Sequence, residues 1–318
     1  MPLQATITPE IENVGAVSGC ALPRGDYFVP MEVCADESGI HGGSKRCVVA
    51  GFAGGRQKIN QLELMWGRIL AQFKITADVG FHAKTFFKRA PDGRRFGPYE
   101  GWTDQQARDF IAELVRAVTD LPLRPVGGSI SLGYFNSLSQ NMRRWLTGGV
   151  YDETNKKWIT SGAPNKPYFF AFQQVVVGGA AFAKPGVKMD CIFDRQDNFG
   201  PLAIQMWNYM KDQLEWETGK HLGGISFYSR FERVSLQAAD MLSHCLYHVE
   251  AYRKDTDKYE VAYVLHHITK NGMDVKKLDQ ETVEMMLPGY PPSLRELDEK
   301  RRQLMQSRGA TGGAAANA

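Results

Sequence analysis

Two apolar runs separated by a glycine-rich turn constrain this chain most. The first, YFVPMEVCAD, ends at Asp36, and the second, KRCVVAGFAG, starts at Lys45. Their β-branched and aromatic content and the short GIHGG link predict an antiparallel hairpin. Apolar residues at Ile59, Leu62, Met65, Ile69 and Phe73 then recur at helical spacing. A second helix is signalled by Thr103 as N-cap, followed by Ala107, Phe110, Ile111, Leu114 and Val118 on one face. A hairpin feeding directly into amphipathic helices belongs to an α/β layout around a mixed sheet.

The rest of the chain continues that alternation. LRPVGGSISLGYF reads as a third strand region, and residues 147–167, rich in Gly, Asn, Lys and Pro, read as a loop or insertion. YFFAFQQVVVGGAAFA suits a buried helix, and VKMDCIFD suits a strand ending at Asp194. A helix is expected over residues 200–218, a short strand at GGISFYS, and a long helix from Ser235 through SLQAADMLSHCLYHVEAYRK. Helix resumes around YEVAYVLHHITK, and GATGGAAANA is a low-complexity end expected to be disordered. The expected organisation is a lead-in over residues 1–24, an α/β domain over 25–255, a helical extension over 256–307 and a tail over 308–318.

Composition narrows the setting. A formal net charge of +3 leaves any nucleic-acid case to local basic patches. Of five cysteines none forms a C-x-x-C pair, and Cys34, Cys47 and Cys191 sit in apolar runs, the usage of a reduced, cytoplasmic protein. The N-terminus lacks the basic start and apolar run of a secretory signal. The longest apolar stretch is broken by Gln173 and Gln174 and falls short of the ~20 residues that cross a bilayer, so no membrane partner is expected.

Carboxylates stand where strands and helices end. Asp36 closes the first strand, with Glu37 and Ser38 behind it; Asp194 closes another, with Asp197 following; Asp240 lies at the border of the apolar face of the Ser235 helix, beside Gln237 and His244. Scattered Asp residues at strand ends are also ordinary turn chemistry. If the three aspartates converge, the arithmetic is demanding. Two carboxylates about 4 Å apart repel by roughly 4 kcal/mol at an effective dielectric of 20. A true cluster must therefore hold a proton or a cation, and oxygen ligands alone suit Mg²⁺ or Mn²⁺ rather than zinc. His244 and His248, at i, i+4, have ligand spacing without an H-E-x-x-H pattern. A serine hydrolase built on Ser38 lacks the G-x-S-x-G elbow.

Taken in order, CADESG, FDRQ and SLQAADMLSHCLYH resemble the family catalogued as domain of unknown function 3800, over roughly residues 27–252. The resemblance implies an RNase H-like mixed sheet flanked by helices. It also implies a metal-dependent nuclease site with Asp36, Asp194 and Asp240 as ligands, Glu37 and Ser38 as ligands or groups around them, Gln237 beside Asp240, and Glu37, His82 or Lys84 assisting at the edges. Asp197 reads as a helix N-cap or loop residue near that metal. Many members carry Glu-x-Lys after the early helix. Here the string is FHAK, so His82 stands in place of the glutamate and Lys84 matches the lysine. That departure keeps a second possibility open: an RNase H-like module that binds nucleic acid or a protein without cleaving. The segment KTFFKRAPDGRRF mixes Lys88, Arg89, Arg94 and Arg95 with aromatic residues, a pattern suited to nucleic acid and equally to a solvated loop. DNA, RNA and oligomeric state are left open by the sequence.

Overall fold

The computed structural model describes residues 30–40, 43–195, 199–212, 217–252, 259–270 and 272–312. The lead-in, Cys20, His41, Asp197 and residues 313–318 lie outside them. In chain order the elements are β1 (Met31–Ser38), β2 (Arg46–Gly55), α1 (Arg56–Gln72), α2 (Ala83–Phe87), α3 (Asp104–Thr119) and β3 (Arg124–Ser131). Next come α4 (Leu132–Ser137), α5 (Gln140–Leu146), β4 (Gly149–Asp152), β5 (Lys157–Ser161), α6 (Tyr168–Ala180), β6 (Met189–Asp194), α7 (Gly200–Asp212) and α8 (Glu217–His221). The last are β7 (Leu222–Tyr228), α9 (Ser235–Ala251), α10 (Tyr259–Thr269), β8 (Asp274–Leu278), α11 (Gln280–Met286) and α12 (Pro292–Gly312).

Six strands form one mixed sheet in the order β7-β6-β1-β2-β3-β8. The β1–β2 and β2–β3 pairs are antiparallel; β6 adds parallel to β1, β7 to β6, and β8 to β3. Helices cover both faces, as the apolar pattern of β2 requires. Its Cys47, Val49 and Ala53 pack into the core under α6, and Val48, Ala50 and Phe52 pack into the core under α1, α3 and α9. A strand buried on both sides reads as an unbroken apolar run because alternate side chains enter different cores.

Local chemistry sets several boundaries. At α3, the Thr103 hydroxyl accepts from Gln106 N at 3.2 Å, while Gln106 Oε1 accepts from Thr103 N at 2.8 Å. This capping box satisfies donors that the first turn leaves over. The third strand stops at Ser131, whose hydroxyl caps α4, so LGYF is helical rather than extended. Residues 147–167 also differ from expectation: β4 and β5 pair into a hairpin there. The Tyr151 and Trp158 rings meet edge to face at 5.3 Å, and Asp152 Oδ1 accepts from Thr154 N and Asn155 N to close the turn. Edge strand β8 was not anticipated, and α12 extends to Gly312, beyond residue 307. Between residues 200 and 218 two helices stand, α7 ending at Asp212 and α8 starting at Glu217. Cys34, Cys47, Cys191 and Cys245 are buried free thiols. Among the described residues no helix is long and apolar enough to cross a membrane.

Candidate active site

Strand register brings the first two aspartates together. In the parallel β1–β6 pair, Ala35 is opposite Phe193, so Asp36 and Asp194 emerge side by side at the carboxyl ends of adjacent strands. Alternation along β1 would send Glu37 to the other face, but the pairing with β6 has stopped at Ala35 and only β2 flanks β1 there. The carboxylate oxygens of Asp36, Glu37 and Asp194 lie within 4.8 Å of one another. Glu37 N donates to Asp36 Oδ1 at 2.7 Å, and the two side chains hydrogen-bond to each other. Gly39 then turns the chain at φ +80°; a Cβ there would stand 2.2 Å from Arg46 O and 2.5 Å from the Tyr247 ring. Only glycine meets both demands at little cost.

Helix α9 supplies the third aspartate. The sequence placed Asp240 at the border of an apolar face, but Asp240 is buried at 8% exposure, as is every residue from Ser235 to Leu246. The helix lies on β1 and β2, and α1, α2 and α10 close over it, so it has no solvent face along this length. Asp240 Oδ2 accepts from Ala83 N at 2.8 Å. One turn earlier, Gln237 Oε1 accepts from Phe81 N at 2.7 Å and Trp66 Nε1 at 3.2 Å, and its Nε2 donates to Arg230 O at 3.0 Å. Gln237 thus ties the segment carrying His82 to the segment carrying Arg230. Gly80, at φ +59° against the Gln237 amide, makes that approach possible.

Asp36, Glu37, Asp194 and Asp240 all line one cleft of about 470 Å³, together with Ser38, His82, Lys84 and Arg230. Burial is the main influence on all four carboxyls, and repulsion from neighbouring carboxylates adds to it at Asp36, Glu37 and Asp240. Asp36 is pushed well up by burial and then by Glu37, Asp240 and Asp194. Glu37 rises to about 8 from burial and the charge of Asp194. Asp240 rises to about 6, burial outweighing the Ala83 hydrogen bond. Asp194 is raised by burial, against backbone hydrogen bonds from Arg195 and Arg230. His82 is lowered to about 4 by burial, then by Arg230 and Lys84. It is neutral at pH 7, with Nδ1 3.0 Å from Thr85 Oγ1.

The donor set fits a hard divalent cation. Three carboxylate oxygens converge, and their raised proton affinities mark a negative charge excess that a proton relieves singly and a dication relieves together. Arg230, His244, Tyr247, His248 and Tyr252 also line the cleft. Of these the sequence had suggested ligand spacing only for the two histidines. The His244 and His248 rings are 4.4 Å apart, and His244 stacks on Phe87. Arg230 left no motif to find: it follows β7 in an irregular turn.

The basic segment after α2 is largely spent within the protein. Arg95 is buried and pairs with Glu260 at 2.8 Å and Asp104 at 3.3 Å, which corrects its reading as a nucleic-acid contact. Arg89 also pairs with Glu260 and Asp104, and Arg94 with Asp92. Lys88 is exposed, its ammonium over the Phe96 ring.

Comparison of the chain with family models, with curated proteins and with solved structures returns no match.

Proposed function

We propose that the chain is a divalent-metal-dependent hydrolase of RNase H-like architecture acting on nucleic-acid phosphodiesters. The observation that carries this reading is the meeting of Asp36, Glu37 and Asp194 within 4.8 Å, in a cleft that Asp240 also lines. The strand order supports it: three antiparallel strands, β1 to β3, with β6 and β7 added parallel on the other side of β1, suit an RNase H-like sheet. Placement at the carboxyl ends of parallel strands is also where open α/β sheets gather ligands.

In this reading Asp36, Glu37 and Asp194 hold Mg²⁺ or Mn²⁺, with Asp240 facing the same charge. When bound, such an ion polarises a phosphoryl oxygen and makes a water a better nucleophile. The chain's own groups fix the frame. Ala83 N orients the Asp240 carboxylate, and Arg230 N orients that of Asp194. His82, held neutral, adds no charge where the glutamate of the resembled family would stand. Lys84 and Arg230 supply positive charge at the cleft for phosphate.

The test is calorimetric titration of Mg²⁺ and Mn²⁺ into wild type and Asp194→Asn, with cleavage assays on single- and double-stranded DNA and RNA. Binding and cleavage in wild type, both lost in the folded variant, are expected. Undiminished cleavage by Asp194→Asn would sink the assignment. Nucleic-acid binding without metal or cleavage would favour the non-cleaving module. Because phosphates often complete Mg²⁺ sites, the titration includes a run with nucleic acid present.

A further inference from the structure

Arg230 and Phe231 are consecutive and serve two neighbouring clefts. Arg230 lines the acidic cleft. Phe231 lines an apolar cleft of about 500 Å³ with Leu70, Ile75 and Val234, and Lys74 stands at it. The Arg230 guanidinium lies over the Phe231 ring, 4.9 Å from its centroid, yet the side chain of Phe231 remains 48% exposed. An exposed phenylalanine backed by a guanidinium at the edge of an acidic centre offers a ring face well suited to stacking. The peptide groups of Arg230 are already committed: its N–H holds Asp194 and its carbonyl accepts from Gln237. Its side chain takes no part in those bonds; its charge instead acts on Asp194 and Asp240 in the cleft.

We propose that Arg230 and Phe231 form a nucleotide-reading step beside the acidic centre, with the guanidinium on a backbone phosphate and the Phe231 ring under the adjoining base, so that the site takes single-stranded nucleic acid in preference to duplex. This rests on the phosphodiester reading of the acidic cleft. A base can reach the ring of Phe231 only if it is unpaired and turned away from a partner strand, and stacking on an aromatic ring is indifferent to base identity. The two contacts are separable. The phosphate contact is electrostatic and salt-dependent; the stacking contact is neither.

The experiment is fluorescence anisotropy with end-labelled oligothymidylate, oligouridylate and a matched duplex, in calcium, on full-length wild type, Phe231→Ala, Phe231→Trp and Arg230→Gln. Thermal unfolding of each variant accompanies it. Wild type is expected to bind the single strands more tightly than the duplex. Phe231→Ala should weaken single-strand binding by roughly tenfold and erase the preference, while Phe231→Trp retains both. Arg230→Gln should lower the slope of log affinity against log salt by about 0.7. Single-strand affinity and salt slope unchanged in Phe231→Ala and Arg230→Gln, with wild type binding and cleaving, would overturn this inference and leave the phosphodiester reading standing. Wild type that binds none of the probes would remove both.

Discussion

At the scale of single residues, the acidic centre depends on groups that flank it as much as on its carboxylates. Gly39 is the sharpest case, because its φ of +80° and the 2.2 Å approach of Arg46 O each exclude a side chain. Gly39→Ala should lower stability by about 2 kcal/mol or more, read as a shift in the denaturant midpoint. It should also weaken cation binding, since it displaces the turn that follows Glu37. An unchanged midpoint would remove this account of Gly39. The aspartates themselves were legible in the sequence as strand-end and helix carboxylates. The resemblance put Glu37 with Asp36, but strand periodicity alone did not, because neighbours on a strand point to opposite faces; the two converge beyond the last β1–β6 pair, where β1 is flanked only by β2.

Among the elements, α9 is the organiser. Its Gln237 takes two buried donors, Phe81 N and Trp66 Nε1. Gln237→Leu fills similar space but leaves both unsatisfied, at about 1–3 kcal/mol apiece. Chemical denaturation should report a loss of about 2–6 kcal/mol for the two together. A companion loss of cation affinity is expected, because Phe81 and Ala83 N move together and Ala83 N orients Asp240. A variant as stable as wild type would mean that water replaces the amide at no cost. Helix α9 was readable from its length and apolar content, but its burial all round was not, since that depends on which helices fold over it. The β4–β5 hairpin escaped a composition-based reading for a related reason: its Gly and Lys residues signal turns, while the Tyr151–Trp158 pair that holds it exists only across strands. Strand β8 is short, carries two lysines and lies at an edge, so its extended form comes from pairing with β3.

For the whole molecule, the acidic centre sets a dependence of stability on pH. Glu37 ionises at about 8 in the fold against 4.5 ordinarily, and Asp240 at about 6. Between those ordinary and raised values the folded chain keeps protons that the unfolded chain has released. Stability therefore falls as pH rises from about 5 to 8. Metal-free protein should melt on the order of 5 °C higher at pH 6 than at pH 8 in differential scanning fluorimetry. Saturating Mg²⁺ or Mn²⁺ should raise the pH 8 value and flatten the profile, because an ion that binds only the folded chain adds stability by mass action. A profile indifferent to divalent ions, with and without nucleic acid, would count against a metal at the cluster. The alternation of strands and helices, hence an α/β chain, could be read from periodicity. The sheet order could not, because nothing local says that the strand ending at Asp194 adds to β1 rather than to β3.

That same parallel pairing has a consequence in time. Asp36 leaves the ribosome before Asp194, its neighbour across the sheet, and before the helix that carries Asp240. A nascent chain stalled before β6 can form the β1–β2–β3 meander while holding only part of the acidic centre. The acidic cluster can be complete only once β6 and α9, both made after the β1–β2–β3 meander, have joined that sheet, so the order of synthesis places its assembly after the meander has emerged.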